Sequence, residues 1–368
     1  MNNSVYIHIP FCSSICSYCD FCKLFYIKKW VNPYLDSLEE EVLSRYKGDI
    51  IKTIYIGGGT PSCLSIDELK RLFKIIDIFK IDIEEFTFEC NIEDINRELL
   101  DFLKTTKVNR LSIGLETTKK ESLDYLGRKY LSDYEDRIKL ALKYYDNVNV
   151  DLMYALKGES LKDLENDIDF LIDLGIKHIS TYSLIIEEHT RLRNEKNIDE
   201  DLDYEMYKLI QNKLSNYHHY EVSNFSYYGY EAKHNLVYWN NDNYYGFGLG
   251  ASGFVDNTRY DNTRNIIDYI NHKYVKESYF VSVLENMQNE MIFGLRKIEG
   301  VNKERFYLKY HKNIEDVFDI QELIKSGKLI DKNGFIYINK DYIYLSNEIL
   351  INFVWWRLKW KLIYLKQN

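Results

Sequence analysis

The chain has 368 residues, of which 45% are hydrophobic and 29% are charged, so it can bury a sizeable core and is not expected to be disordered. Its net charge of -9, without a basic block, argues against nucleic-acid binding. The first residues carry no positive charge, and no apolar run reaches about 18 residues. We therefore expect neither a signal peptide nor a membrane-spanning helix, and we expect a cytoplasmic protein.

The first half of the chain predicts alternating strands and helices. We expect strands at residues 5–9, 53–56, 86–89, 110–113, 148–152 and 178–182. A first helix is expected to begin at Asn32-Pro33 and end near Lys47, and Ser65 with Glu68 forms a capping-box pattern ahead of a second. Strands separated by helices form parallel sheets with right-handed crossovers. The predicted fold class is therefore α/β, an open partial TIM-type barrel of six βα units.

The second half predicts a different organisation. The alternation ends after about Leu184, and residues 217–262 are rich in Tyr, Asn, Gly and Ser, which predicts loops and short strands. Helical patterns at 286–295, 303–310 and 320–326 precede two apolar segments, 335–338 and 342–345, that could pair as a hairpin. We predict a barrel over residues 1–185, an extension over 186–282, and a small α+β, winged-helix-like domain over 283–368.

Three cysteines follow the first predicted strand in the spacing Cys-x-x-x-Cys-x-x-Cys, at Cys12, Cys16 and Cys19. Thiolates this close in sequence can bind three corners of one iron–sulfur cube. Such a site leaves one iron open to a further ligand. The alternatives are incidental buried cysteines or a zinc site, for which Cys22 could supply a fourth ligand. The loop alone favours the cluster.

The residues around these cysteines resemble the signature of the radical S-adenosylmethionine (SAM) family. The similar segment is Tyr6-Ile-His-Ile-Pro-Phe-Cys12 followed by Tyr18-Cys19-Asp20-Phe21. More narrowly, the chain resembles the branch that contains oxygen-independent coproporphyrinogen III oxidases and related heme chaperones, up to about residue 347. The resemblance implies a 4Fe–4S cluster on the three cysteines. It also implies SAM bound to the open iron, and a one-electron cleavage of SAM that yields a 5'-deoxyadenosyl radical.

The same resemblance implies which residues contact SAM. Glycines let a backbone approach a ligand closely, and polar side chains at strand ends can bind its amine and hydroxyls. The implied set is Tyr6, Gly57, Gly58, Gly59, Thr60, Glu89, Glu116, Arg128 and Asp151. The alternatives are an ordinary tight turn for the glycines and solvated loop charges for Glu89, Glu116, Arg128 and Asp151. Glu116 departs from the family, which usually has Gln at that position.

A second motif, His234-Asn-Leu-Val-Tyr238-Trp239, resembles one associated with heme in the chaperone branch. A neutral imidazole can ligate heme iron, and Tyr238 and Trp239 offer flat faces to a porphyrin. The alternative is an ordinary loop with a surface histidine and a buried aromatic pair. The resemblance favours heme contact by all three residues.

We therefore expect a heme chaperone that binds a 4Fe–4S cluster, SAM and heme. Its expected partners are heme-recipient proteins, including membrane-associated respiratory enzymes, and a low-potential electron donor, with no nucleic acid. The alternatives are a coproporphyrinogen III oxidase and a non-catalytic cluster or zinc protein. Because strand one begins by Val5, we expect no N-terminal extension of the kind the oxidases carry. The aromatic and basic segment 355–361 either touches a membrane surface or packs on the small domain.

Overall fold

The computed structural model describes residues 2–196 and 198–354. Its strands are β1 (Ser4–Ile9), β2 (Phe11–Cys12), β3 (Leu24–Phe25), β4 (Ile50–Gly58), β5 (Lys80–Asn91), β6 (Arg110–Glu116), β7 (Asn147–Tyr154), β8 (His178–Ser183), β9 (His218–Glu221), β10 (Asn224–Ser226), β11 (Tyr245–Phe247), β12 (Ser252–Val255), β13 (Thr258–Asn262), β14 (Val275–Phe280), β15 (Val301–Asn302), β16 (Leu329–Lys332) and β17 (Phe335–Ile338). Most of the long strands lie in the first half of the chain.

The helices alternate with these strands. They are α1 (Lys28–Arg45), α2 (Ile66–Ile76), α3 (Arg97–Lys104), α4 (Lys120–Leu126), α5 (Tyr134–Tyr144), α6 (Leu161–Asp173), α7 (Glu200–Lys213), α8 (Lys233–Trp239), α9 (Ile266–Ile270), α10 (Val283–Gly294), α11 (Lys303–Tyr310), α12 (Gln321–Lys325) and α13 (Ser346–Leu350). No helix in the described part of the chain is long and apolar enough to cross a membrane.

One large sheet carries the fold, with the strand order β11-β1-β4-β5-β6-β7-β8-β10-β9. The six strands from β1 to β8 in that order pair in parallel, as the sequence predicts. Strand β11 extends the sheet in parallel beyond β1, whereas β10 pairs antiparallel with β8. The six predicted βα units are therefore present and form the predicted open barrel with short strands added at both edges.

The parallel strands have one apolar face and one polar face. In β6, Leu111 and Ile113 are fully buried in the main hydrophobic cluster, beneath the helices. The alternate residues Arg110, Ser112 and Glu116 line an interior cavity instead. The interior of the barrel is therefore a polar site, and the aliphatic core lies outside it.

Helix α1 begins earlier than predicted. Its first residue is Lys28, with Ile27 as the N-cap, and Pro33 lies inside the helix. The prediction that Asn32-Pro33 opens the helix is therefore wrong, because proline is tolerated near a helix start at more than one position. The capping box of Ser65 and Glu68 at the start of α2 is confirmed.

The C-terminal part has its own hydrophobic cluster, which includes Met291, Phe306, Ile336 and Phe353. Helices α10, α11 and α12 accompany a three-stranded sheet of order β15-β17-β16, which matches the predicted α+β layout. The predicted hairpin partner is wrong, since β17 pairs with β16 and β15, and residues 342–345 form no strand. The boundaries at residues 185 and 282 stay predictions.

Helix α8 lies within the region that was predicted as loops and short strands, and it packs under the barrel. The buried carboxylate of Glu85 on β5 accepts hydrogen bonds from the backbone N–H groups of Lys233 (2.7 Å) and His234 (3.1 Å), at the first turn of α8. It also accepts one from the hydroxyl of Thr87, at 3.1 Å. Glu85 therefore fixes α8 at the end of the barrel where its strands begin.

We predict that Glu85→Gln lowers the free energy of unfolding by about 1–3 kcal/mol, because one amide oxygen cannot replace two carboxylate oxygens at a buried helix start. Urea unfolding followed by circular dichroism measures the change. The matched control is Glu84→Gln, whose exposed side chain pairs with Lys52 at 2.9 Å. We expect that control to change stability by less than about 0.5 kcal/mol. Equal losses in both variants would contradict the assigned role of Glu85.

Candidate functional site

The backbone at the start of the cysteine loop is hydrogen-bonded on two sides. Leu24 N–H donates to Pro10 O at 2.7 Å and Tyr26 N–H donates to Cys12 O at 2.8 Å, on one side. On the other side Thr60 N–H donates to Phe11 O at 2.8 Å. Cys12 is therefore held at the end of β2 by contacts that do not involve its sulfur.

A second anchor lies in the middle of the loop. Ser17 N–H donates to Leu126 O at the end of α4, at 2.8 Å. Gly127 follows in the left-handed region, with φ of +69°, and a Cβ there would lie 2.7 Å from Ser17 Oγ. Only glycine allows this approach, so the turn after α4 fixes both Ser17 and the neighbouring Arg128.

His8 orders the loop from beneath, a role the sequence analysis did not assign. Its Nε2 lies 2.6 Å from Cys22 O and its Nδ1 lies 2.9 Å from Tyr6 Oη. A carbonyl oxygen only accepts, so Nε2 carries the proton and Nδ1 accepts from the hydroxyl of Tyr6. Burial lowers the pKa of His8 to about 4, which keeps the ring neutral. The position of His8 within the segment Tyr-Ile-His-Ile-Pro is the sequence feature that could have indicated this role.

Most of the predicted cluster and SAM residues line one cavity of about 150 Å³, here called the cysteine cavity. Its lining includes Cys12, Cys16, Cys19, Gly58, Gly59, Thr60, Glu89, Glu116, Arg128 and Asp151. Two predicted SAM residues do not line it. Gly57 packs on Glu89, whose Oε2 would lie 2.6 Å from a Cβ at position 57. Tyr6 is hydrogen-bonded to His8 instead.

The thiols suit a cluster. Among residues 2–196 and 198–354, no three His, Cys, Asp or Glu side chains converge closely enough to ligate one metal ion. A cubane differs because each thiolate binds a separate iron, so the requirement is three free thiols facing one space. Cys12, Cys16 and Cys19 are free and meet that requirement. Cys22 is buried against Gly250 and does not line the cysteine cavity.

The side chain of Glu89 on β5 is hydrogen-bonded to two residues of the neighbouring strand β4. Its Oε1 accepts from Tyr55 Oη at 2.6 Å and its Oε2 accepts from Gly58 N at 3.0 Å. The pKa of Glu89 is raised to about 7, chiefly by burial and also by the charge of Asp151, while the Tyr55 and Gly58 donors oppose the shift. Burial also raises the pKa of Asp151, which accepts from Asn149 Nδ2 at 2.8 Å.

Glu116 and Arg128 form an ion pair at the wall of the cysteine cavity, with 3.2 Å between Oε1 and Nη1. Arg128 Nη2 also donates to Gly114 O at 2.7 Å, and Nη1 lies 3.7 Å from Cys16 Sγ. Burial raises the pKa of Glu116 to about 6, and Arg128 opposes that shift. The extra negative charge at position 116, relative to the usual Gln, is therefore matched by Arg128.

The predicted heme residues lie away from the cysteine cavity. His234 is 0% exposed, and its ring nitrogens lie 2.9 Å from Thr53 Oγ1 and 2.8 Å from Tyr238 Oη. Trp239 faces a separate groove of about 830 Å³ beside α10 and α11, with Arg296 5.0 Å above its ring. The alternative of a surface histidine on a loop does not describe this motif, because α8 buries His234 against the barrel.

A larger cavity of about 570 Å³, here called the barrel cavity, adjoins the cysteine cavity and shares with it Tyr18, Cys19, Phe21, Glu89, Ser112, Glu116 and Asp151. Its remaining lining is Asp20, Tyr55, Arg110, Asn149, Met153, Ser180, Tyr182, Ser183, Ile185, Glu187, Asn235 and Arg264. Phe21 is 70% exposed and Ile185 is 42% exposed at its mouth. The sequence analysis missed Arg110 and Asn235, although the alternation along β6 could have indicated Arg110.

The arrangement has a clear chemical capability. Three thiols can hold a cluster, buried carboxylates can accept from the amine and hydroxyls of a bound ligand, and Arg128 can donate to an anionic group beside Cys16. The thiols come from β2 and the following loop, the carboxylates come from the carboxyl-terminal halves of β5, β6 and β7, and Arg128 comes from the turn after α4. Ligands of α/β barrels bind at that end of the strands.

Comparisons with known proteins agree with this site. The chain matches the Radical SAM superfamily over residues 6–171. It is 36% identical to the heme chaperone HemW of Bacillus subtilis (strain 168), over 94% of this chain and 97% of that protein. Identity to the heme chaperone HemW of Lactococcus lactis subsp. lactis (strain IL1403) is also 36%, over 96% of this chain and 97% of that protein.

A solved structure confirms the fold class. Coproporphyrinogen III oxidase (HemN) from Escherichia coli, a radical SAM enzyme, matches with a TM-score of 0.83 over 95% of this chain and 89% of that chain. The sequence identity is 18%, so this likeness shows the fold alone.

We predict that Cys12→Ala, Cys16→Ala and Cys19→Ala each abolish cluster binding, because each removes the ligand of one iron. Anaerobic reconstitution followed by iron and sulfide analysis measures the loss, with about four of each expected per parent chain. Cys22→Ala and Cys63→Ala are the matched controls and should keep the cluster. An equal loss of iron in Cys22→Ala, or zinc retained without iron uptake, would contradict the assigned ligand set.

We predict that Glu89 makes the cluster-free protein less stable as pH rises from about 4.5 to 7. A raised pKa means that the folded protein holds this proton more tightly, so the stabilisation is complete below pH 4.5 and is lost through pH 7. Relative to Glu89→Gln, the parent should lose on the order of 3 kcal/mol across that range. Urea unfolding at several pH values tests this, with exposed Glu205→Gln as the control. Parallel pH profiles for the parent and Glu89→Gln would contradict it.

Proposed function

Because the chain belongs to the HemW family within the radical SAM superfamily, we propose that it is a heme chaperone that binds a 4Fe–4S cluster, SAM and heme. The observation that carries the proposal is the sequence similarity to heme chaperones, with 36% identity over 94% of the chain. The site supports it, because the three thiols and the carboxylates that fit the cofactors face one cavity.

In this proposal Cys12, Cys16 and Cys19 hold the cluster, and the cysteine cavity holds SAM. When bound, the cluster supplies the electron that cleaves the sulfonium of SAM. Arg128 donates to the ligand beside Cys16, a sulfur it already approaches at 3.7 Å. Glu116 keeps that guanidinium in place through the 3.2 Å ion pair.

Two carboxylates complete the proposed SAM site. Glu89 and Asp151 accept hydrogen bonds from the ligand's amine and hydroxyls, and Gly58, Gly59 and Thr60 bring backbone close to it. Tyr6 contributes indirectly, by fixing the tautomer of His8 and so the backbone of the cysteine loop at Cys22.

Contact of His234, Tyr238 and Trp239 with heme is part of the proposal. In the described conformation both ring nitrogens of His234 are hydrogen-bonded, so ligation of iron requires one of them to give up its partner, either Thr53 or Tyr238. Asn235 of the same motif already lines the barrel cavity. The motif therefore reaches a ligand space through Asn235 without any rearrangement.

We further propose that the protein works in the cytoplasm with a low-potential electron donor, and that its recipients include membrane-associated respiratory enzymes. The support for membrane contact is the composition of residues 355–361, which contain three tryptophans and three basic residues. Those residues lie outside the described part of the chain.

We predict that the cluster-loaded protein binds one heme and passes it to a heme-free acceptor, without converting coproporphyrinogen III. The Soret band of a heme titration, followed by transfer to apomyoglobin, measures binding and delivery. An anaerobic incubation with SAM, a low-potential reductant and coproporphyrinogen III measures turnover, with the porphyrins separated afterwards.

The control for that experiment is Cys16→Ala, which should form no SAM cleavage products. Catalytic formation of protoporphyrinogen by the parent protein would identify an oxidase and overturn the chaperone proposal. Failure to bind heme, in protein with a verified intact cluster, would overturn it as well.

A further inference from the structure

Arg110 is a deeply buried cation with almost no protein partner. The side chain belongs to the first residue of β6 and is 2% exposed. Its one hydrogen bond in the described structure joins Nη1 to Thr87 Oγ1 at 3.4 Å, and its Nε has no partner. No carboxylate oxygen of the described residues lies within 4.0 Å of its guanidinium, whereas Arg128 has Glu116 at 3.2 Å.

The carboxylates nearest to Arg110 along the strands are bound to other donors. Glu85 accepts from Thr87 and from two N–H groups of α8. Glu89 accepts from Tyr55 and Gly58, and Asp151 accepts from Asn149. The positive charge of Arg110 is therefore not neutralised by a direct contact.

Arg110 lines the barrel cavity, although its unpaired Nε is itself buried. The charges of Glu89 and Asp151 attract Arg110 without a direct contact, so several donors of a guanidinium that burial has dehydrated stay unused, which is costly. Its planar donor pattern matches a carboxylate, which can accept two parallel hydrogen bonds. The barrel cavity is thus built to receive an anionic oxygen pair at Arg110.

The barrel cavity also offers apolar surface to a large ligand, beside the carboxylates of Asp20, Glu89, Glu116, Asp151 and Glu187 that line it. Its volume of about 570 Å³ lies within the range of small-molecule sites, roughly 300–1,000 Å³. Phe21, Met153 and Ile185 supply the apolar surface, and Tyr182 adds an aromatic face. The cysteine cavity, where SAM is proposed to bind, adjoins it and is smaller.

We propose that Arg110 binds a propionate of a tetrapyrrole held in the barrel cavity. This inference rests on the proposed heme binding and adds to it a binding site and the group that anchors the ligand. Arg110 is a binding residue in this proposal, and the macrocycle lies between it and the apolar mouth at Phe21 and Ile185.

The test compares ferric heme with heme dimethyl ester, in which both propionates are esterified, by spectrophotometric titration of the parent protein and Arg110→Gln. The parent should bind heme about tenfold or more tightly than the ester, because a charged hydrogen bond is lost in the ester. Arg110→Gln should bind both equally, and Arg110→Lys should keep part of the preference. The control is Arg97→Gln, an exposed cation that lines neither cavity, which should keep the preference of the parent.

Several outcomes would overturn the inference. One is an unchanged preference in Arg110→Gln, and another is an equal loss in Arg97→Gln, which would indicate only a general charge effect. Weaker SAM binding by Arg110→Gln, with the heme preference retained, would assign Arg110 to the cofactor carboxylate instead. If Arg110→Gln fails to fold, a full parental preference in Arg110→Lys overturns the inference. A parent that binds neither heme nor ester overturns the proposed function itself.

Discussion

The carboxylate of Glu85 is the interaction on which the site depends. It binds the first two N–H groups of α8 and so closes the barrel at the end where its strands begin. A barrel with a polar interior needs such a closure, because open access to water from both ends would weaken every electrostatic contact inside. With α8 covering that end, the cysteines lie at the opposite end of the barrel, beside the carboxyl ends of the strands.

The same closure connects the two motifs of the sequence. His234 of α8 bonds Thr53, and its ring lies 5.4 Å from the ring of Tyr55. Tyr55 bonds Glu89, and Glu89 bonds Gly58 in the glycine turn beside the cysteines. A continuous set of contacts therefore joins the motif associated with heme to the proposed SAM pocket. In a chaperone that uses both ligands, this is a physical route by which occupancy of one site can alter the other.

The parts of this structure that could be predicted from sequence are those fixed by local patterns. The βα alternation, the capping box at Ser65 and the spacing of the cysteines are all determined by residues that lie close together in the sequence. The assignments that were wrong depend on residues far apart in the sequence. Residues 342–345 have the composition of a strand, but β17, their predicted partner, already pairs with β15 and β16. Likewise, the local sequence around Arg110 and His8 indicates an inward-facing position and a motif, but it does not identify Cys22 as the partner of His8 or the cavity that Arg110 lines. The short helix α8 was not predicted because its first N–H groups donate to Glu85, which lies far away in the sequence.

The backbone of the cysteine loop is held by bonds at Pro10, Cys12 and Ser17 that leave all three sulfurs free. Most of the conformational entropy of the ligand loop is thus removed during folding of the barrel, and little remains to be removed when iron arrives. Loss of an iron–sulfur cluster by oxidation then leaves the backbone of its binding loop in place. Once the thiols are reduced, the chain can be recharged with iron and sulfide, since the shape that receives them is maintained by hydrogen bonds between peptide groups.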